Sequence, residues 1–148
     1  MSVLLFFHQL ADIMTSKTLV AGIAGGLTLF ATGMLVYVLF LPDFFAIEGA
    51  SSQPGYLYIV LGEIAYGLLI ALLFSRMGVN SMAAGAQQGA LLGGMIALGM
   101  GLIYYGAYTF AGADYYLAEV VVWAVRWAVA GAVVGRLLAV KQAEPVAA

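Results

Sequence analysis

Four long apolar stretches, separated by more polar segments, constrain the fold of this chain more than any other feature. They cover about residues 18–41, 56–74, 82–110 and 116–138. Each is close to or above the roughly 20 residues that cross the apolar core of a bilayer as a helix. None alternates apolar and polar residues with the period of two that a membrane strand shows. The sequence therefore predicts an all-α fold, a four-helix transmembrane bundle spanning residues 17–140.

Composition supports a lipid environment and excludes several classes of site. Of the 148 residues, 65% are hydrophobic and 8% are charged, whereas a soluble domain is about a quarter charged. The lipid bilayer is therefore the expected partner. A net charge of −2 without a basic patch argues against nucleic acid. With no cysteine and a single histidine, we expect no disulfide, no metal centre and no cofactor.

The distribution of charge predicts an orientation. Four of the five basic residues flank the spans on one side, namely Lys17, Arg76, Arg136 and Lys141. The opposite loops contain Asp43, Glu48 and Asp114 and no base. Because cytoplasmic loops of membrane proteins are enriched in Lys and Arg, we expect both termini in the cytoplasm.

The two ends of the chain differ from the spans. Residues 1–16 carry apolar side chains at helical spacing but are too short and too polar to cross a bilayer. They predict an amphipathic helix lying along the membrane surface. Residues 141–148, "KQAEPVAA", predict a disordered cytoplasmic tail.

An internal similarity links the two halves of the chain. "GGLTLFATGMLVY", from Gly25 to Tyr37, resembles "GGMIALGMGLIYY", from Gly93 to Tyr105. A tandem duplication of a helical hairpin would produce this similarity. Glycine-rich apolar helices also match by chance, so both explanations stay open.

Small residues recur at helix-packing spacing in three of the spans. The predicted packing positions are Gly22 and Gly26 in the first span, Gly85, Gly89 and Gly93 in the third, and Gly131 and Gly135 in the fourth. Small residues let helices approach closely in lipid, either within one chain or between copies. At about 100° per residue the stripe of the fourth span lies almost opposite Arg126. Covering both faces would be easier with a second copy or another subunit, which favours self-association.

Charged residues inside the spans form the candidate site. Arg126 stands near the middle of the fourth span, where an unpaired charge costs about 3 kcal/mol or more. Glu63 is the only carboxylate deep in another span, and its depth matches, so we expect the two to pair. Glu119, seven residues before Arg126, lies on the same helix face and could hold a second edge of the guanidinium. Tyr66 could donate a hydrogen bond to Glu63, and Trp123 could form a cation–π contact with Arg126.

A wider pattern resembles a known group of proteins. "GMLVYVLFLPDFF", followed by "YIVLGEIAYGLLIALLFSR" and a glycine-rich third span, is similar to small four-helix bacterial membrane proteins of the domain-of-unknown-function type. The resemblance covers about residues 20 to 140. It implies the fold and a bacterial inner-membrane location, and it implies no activity and no site residue.

Two functions remain open at the level of sequence. The first is a non-enzymatic structural or accessory subunit that self-associates, favoured by the small-residue stripes. The second is a small transporter or channel with an outward-facing polar site at Glu63, Arg126 and Glu119. Catalysis is not expected, because no nucleophile stands with a base and no metal ligands cluster in the sequence.

Overall fold

The computed structural model describes residues 15–46, 54–108 and 111–139. Regular structure in these ranges is entirely helical, which confirms the predicted all-α class, and four helices are long and apolar enough to cross a membrane. Helix α1 spans Ser16–Gly33 and continues as a π-helix, Met34–Phe40, called the π segment below. The other helices are α2 (Tyr56–Met77), α3 (Met82–Ala107) and α4 (Ala113–Ala139).

The helix bounds differ from the predicted spans by a few residues. Helix α2 continues to Met77 and ends at Gly78, which adopts the left-handed conformation (φ 69°) that glycine accommodates at a helix end. Helix α4 begins three residues earlier than predicted, with Asp114 in its first turn, where a carboxylate stabilises the helix dipole. The predicted surface helix, except for its last two residues, 15 and 16, lies outside the described residues. The predicted tail also lies outside them.

Side-chain caps fix two of the helix starts. The hydroxyl of Thr15 accepts a hydrogen bond from the backbone N–H of Thr18 at the start of α1. The hydroxyl of Ser81 accepts one from the N–H of Ala84 at the start of α3. Each cap satisfies a backbone donor that has no partner within the helix. A short turn from Gly78 to Ser81 connects α2 to α3.

Helix α4 is the central element of the structure. The closest pairs are α1 with α2 and α3 with α4, and α4 also packs against α1 and, less extensively, against α2. The buried apolar core contains Leu29, Ile70, Phe74, Trp127 and Val134. It lies mainly toward the end of the molecule where Lys17 donates a hydrogen bond to the carbonyl of Leu138 at 2.5 Å. We call this the Lys17 end and the opposite one the Asp114 end.

Glycines make the α1–α2 contact. A Cβ atom on Gly26 would overlap the Cα of Ile64, and one on Gly67 would overlap the backbone of Gly22 and Gly26. A Cβ on Gly22 would lie 2.7 Å from the side chain of Leu68. The two backbones therefore approach each other more closely than side chains would allow, as in other small-residue helix interfaces.

Glycines also make the α3–α4 contact. Gly85 and Gly131 each face the other's carbonyl oxygen, and Gly135 faces the carbonyl of Ser81. In the same interface Gly89 faces the carbonyl of Trp127, and Gly93 faces its indole ring.

One chain covers both faces of α4. Helix α3 packs on the face with Gly131 and Gly135, while α1 and α2 pack on the face with Arg126. Covering both faces of α4 therefore requires neither a second copy nor another subunit. Self-association stays a prediction, without this argument in its favour.

Candidate functional site

Arg126 ties three helices together. It lies on α4 with only 4% of its surface exposed. Its Nη2 atom is 2.5 Å from Oε1 of Glu63 on α2 and donates to the carbonyl oxygen of Leu29 on α1 at 2.7 Å. The structure thus brings Glu63 and Arg126 together, and charge-assisted hydrogen bonds are among the stronger polar contacts in proteins.

Two glycines of α1 make this contact possible. At Gly33 a Cβ atom would lie 2.7 Å from Nη2 of Arg126, so the missing side chain provides the space for the guanidinium. At Gly26 a Cβ atom would lie 2.7 Å from the carbonyl oxygen of Glu63, so this glycine allows α2 to come close. Gly26 was singled out from the sequence. Gly33 was not, although it is part of the internal similarity.

Tyr37, in the π segment, stands between Arg126 and Glu119. Its ring centroid is 5.3 Å from Cζ of the guanidinium, a cation–π contact. Its hydroxyl donates to Oε2 of Glu119 at 3.0 Å. The ion pair that the structure gives Arg126 is with Glu63. Glu119 was expected to hold a second edge of the guanidinium directly, and the tyrosine takes that place because the π segment inserts its side chain between the two charges.

The expected roles of Tyr66 and Trp123 are also corrected. The ring of Tyr66 packs against Trp123 and Trp127, with centroids 5.8 and 5.4 Å apart, and no hydrogen bond joins it to Glu63 within the described residues. The indole of Trp123 stacks on that of Trp127 at 6.1 Å and 17°. These rings bury one another, a favourable arrangement for large aromatic side chains, while Tyr37 provides the ring for Arg126. We call Glu63, Arg126, Tyr37 and Glu119 the polar cluster.

A first cavity adjoins the ion pair. It has a volume of about 140 Å³ and lies between α1 and α2 on the side of the Asp114 end. Gly33, Tyr37, Tyr56, Glu63 and Arg126 form part of its lining, and we call it the Arg126 cavity. The Nε atom of Arg126 is buried without a hydrogen-bond partner in the described structure. With about 30 Å³ per water in the liquid, this volume is large enough for several water molecules beside the pair.

A second cavity adjoins Glu119. It has a volume of about 200 Å³ and lies between α3 and α4, also toward the Asp114 end. Its lining includes Tyr104, Tyr115, Tyr116, Glu119 and Trp123, and we call it the Glu119 cavity. Since Tyr37 lines the Arg126 cavity and bonds to Glu119, the polar cluster joins the two cavities through a single side chain.

The polar cluster contains more acid than base. Glu63 and Glu119 contribute two carboxylates, and Arg126 contributes one guanidinium. The guanidinium pairs with Glu63, whereas the groups that donate hydrogen bonds to Glu119, the hydroxyl of Tyr37 and the indole of Trp123, are neutral. With both carboxylates ionised, the cluster carries one negative charge in excess.

No family model matches the chain, and no curated protein or solved structure is significantly similar to it. Function is therefore inferred from the polar cluster and its two cavities.

Proposed function

We propose that this chain is a multi-pass membrane protein that acts as a small transporter or channel, with the polar cluster as its solute site. The observation that carries the proposal is the position of two carboxylates and a guanidinium between apolar helices, beside two cavities. Charged groups within membrane spans are costly, and they usually mark ion or substrate pathways. A cluster that served packing alone would gain nothing from cavities on both sides of it.

The proposed orientation places the cavities toward the outside of the cell. Lys17, Arg76 and Arg136 lie at the Lys17 end, while Asp43 and Asp114 lie at the other. The enrichment of bases on cytoplasmic loops supports a cytoplasmic Lys17 end. The proposed location is the bacterial inner membrane, with both termini in the cytoplasm, and the cavities would then be reached from the outer face.

A structural or accessory subunit is the second candidate. The observation in its favour is the direct contact of Arg126 with Glu63, whose side chains are 5% and 16% exposed. A pair this well buried can fix the register of α4 against α2 without any ligand, at little net gain in stability. The small residues at helix-packing spacing favoured this function at the level of sequence. In the structure they contact other helices of the same chain. Assembly with a second copy or another subunit would therefore have to use other surfaces.

A flux assay separates the two candidates. Purified protein is reconstituted in liposomes, and the decay of imposed proton, sodium and choline gradients is followed with and without it. We expect faster decay of at least one gradient with the wild type, and loss of this activity in Glu63→Gln, because the amide leaves the buried guanidinium without its counter-charge. Asp114→Asn removes one carboxylate outside the cluster and should retain the activity.

A double variant provides the critical test. Arg126→Leu combined with Glu63→Leu replaces the pair by apolar side chains, an exchange that buried pairs often tolerate without loss of stability. If this variant folds and retains the full wild-type flux, the Glu63–Arg126 pair takes no part in the solute site.

A further inference from the structure

We infer that the Glu119 cavity binds the ammonium group of a small organic cation, with Glu119 as the counter-charge and aromatic rings as the walls. This inference gives the solute class of the proposed transporter and so rests on that function.

The charge of the cluster favours a cation. Arg126 is held by Glu63, by the carbonyl of Leu29 and by the ring of Tyr37. Glu119 receives hydrogen bonds from the hydroxyl of Tyr37 and the indole of Trp123, neither of which carries a charge. The described lining of the Glu119 cavity includes no basic side chain. An ionised Glu119 in this position therefore lacks a direct cationic partner, which a bound ammonium group would supply.

The walls of the cavity favour an organic cation over a hydrated inorganic one. Tyr104, Tyr115, Tyr116 and Trp123 line it, and aromatic faces bind quaternary ammonium groups through cation–π attraction. The remaining lining is apolar, with Ala97, Met100 and Gly101 on α3. A sodium or potassium ion would exchange its water for a single carboxylate and a lining made mostly of ring and alkyl carbon. An alkylammonium group is weakly hydrated, so it loses much less hydration free energy when it enters the cavity.

The volume of the cavity limits the size of the ligand. About 200 Å³ is roughly seven times the ~30 Å³ that one water molecule occupies in the liquid. Sites for drug-sized ligands have volumes of about 300–1,000 Å³. The Glu119 cavity therefore fits a group of the size of trimethylammonium. Such a group occurs both in free solutes and in lipid headgroups, and the experiment separates these sources.

Calorimetric titration of the purified protein tests the inference. The protein is kept in dodecyl maltoside, a detergent without an ammonium group, and is titrated with choline and with 3,3-dimethylbutan-1-ol, its uncharged isostere. We expect saturable binding of choline and at least about tenfold weaker binding of the isostere, a difference of ~1.4 kcal/mol. Equal binding of the two compounds, or no binding of choline, would overturn the inference.

Variants locate the binding at Glu119. In Glu119→Gln the amide oxygen still accepts the hydrogen bond from Tyr37 while the charge is lost, and the affinity for choline should fall about tenfold or more. Asp114→Asn makes the same change of charge on the same helix outside the cavity and should leave the affinity unchanged. Equal effects of the two variants would contradict the inference.

A ring variant keeps the inference testable if Glu119→Gln does not fold. Tyr104→Leu removes one wall of the cavity and should weaken choline binding, whereas Tyr104→Phe keeps the ring and should preserve it. Unchanged affinity in Tyr104→Leu would contradict a cation–π wall at this position.

Two further measurements complete the design. Adding short-chain phosphatidylcholine to the micelles should lower the apparent affinity for choline if lipid headgroups occupy the cavity, and should leave it unchanged if only free solutes do. Binding of choline without flux of any gradient would retain this inference and contradict the transporter function. Flux that depends on Glu63, without choline binding, would support the transporter function and contradict this inference.

Discussion

Arg126 shows how an apolar helix accommodates a permanent charge. Its guanidinium contacts a carboxylate of Glu63, a backbone carbonyl of Leu29 and the ring of Tyr37, each on a neighbouring helix. Glu63 could be predicted, because it is the only carboxylate deep in another span. The carbonyl of Leu29 could not, because every residue has one. Gly33 and Tyr37 could not be assigned either, since their roles depend on how α1 faces α4.

Gly33→Ala tests the space around the guanidinium. The added methyl group would lie 2.7 Å from Nη2 of Arg126, and the side chain would have to move away from Glu63. We expect a loss of about 1–3 kcal/mol in the free energy of unfolding, as for other overpacked sites, seen as a lower Tm in detergent.

Gly99→Ala is the matched control for this variant. No atom lies within 4 Å of a Cβ at Gly99, so alanine should be neutral there or stabilise the helix by up to about 1 kcal/mol. Equal Tm values for the two alanine variants would show that Gly33 does not provide the space for Arg126.

The π segment is the element that sequence reasoning missed. Its hydrogen bonds join residues five apart, as in the 2.9 Å bond from the N–H of Leu41 to the carbonyl of Val36. This bonding widens the helix and changes the direction of Tyr37, and π-helical turns are frequent at functional sites. Tyr105, the counterpart of Tyr37 in the internal similarity, lies in regular α-helix and packs against Tyr116. The two tyrosines that correspond in the internal similarity thus have different surroundings. Duplication of the hairpin stays a prediction.

Gly89→Ala tests the α3–α4 interface. A Cβ atom there would overlap the carbonyl of Trp127, so the two backbones would have to separate. We expect a loss of about 1–3 kcal/mol in the free energy of unfolding, measured by thermal unfolding in detergent.

Gly94→Ala serves as the comparison on the same helix. The nearest atom to a Cβ at Gly94 is the Cβ of Ala124 at 3.5 Å, an ordinary contact, so stability should hardly change. The particle mass of both variants, from light scattering, should equal that of the wild type. If Gly89→Ala reduced the mass and left the Tm unchanged, the third-span glycines would serve assembly between copies.

The whole molecule is polarised from end to end. The dry core of Phe74, Trp127 and Val134 lies toward the Lys17 end, whereas the polar cluster and the tyrosine-lined cavities lie toward the Asp114 end. The described basic residues are at the Lys17 end or, in the case of Arg126, within the cluster. Under the proposed orientation the half of the protein with the apolar core faces the cytoplasm. The half with the polar cluster, the Arg126 cavity and the Glu119 cavity faces outward.

Cysteine labelling tests this orientation. The chain has no native cysteine, so Ala46→Cys at the Asp114 end and Asn80→Cys at the Lys17 end each introduce a single thiol at an exposed position without altering a charge. In intact spheroplasts a membrane-impermeant maleimide should label Ala46→Cys, because that end is expected outside the cytoplasm. Asn80→Cys should react only after permeabilisation. The opposite pattern would reverse the orientation and make the cavities accessible from the cytoplasm.

The sequence by itself determined the helical class, the approximate limits of the four helices and the Glu63–Arg126 pair. Apolar length and the scarcity of buried charge are properties of the chain that do not depend on how the helices are arranged. The tertiary structure decided that α4 is central, that the glycines pack within the chain, and that Tyr37 separates Glu119 from Arg126. These features depend on the rotation of each helix about its axis and on the π segment, which follow from packing between helices distant in sequence.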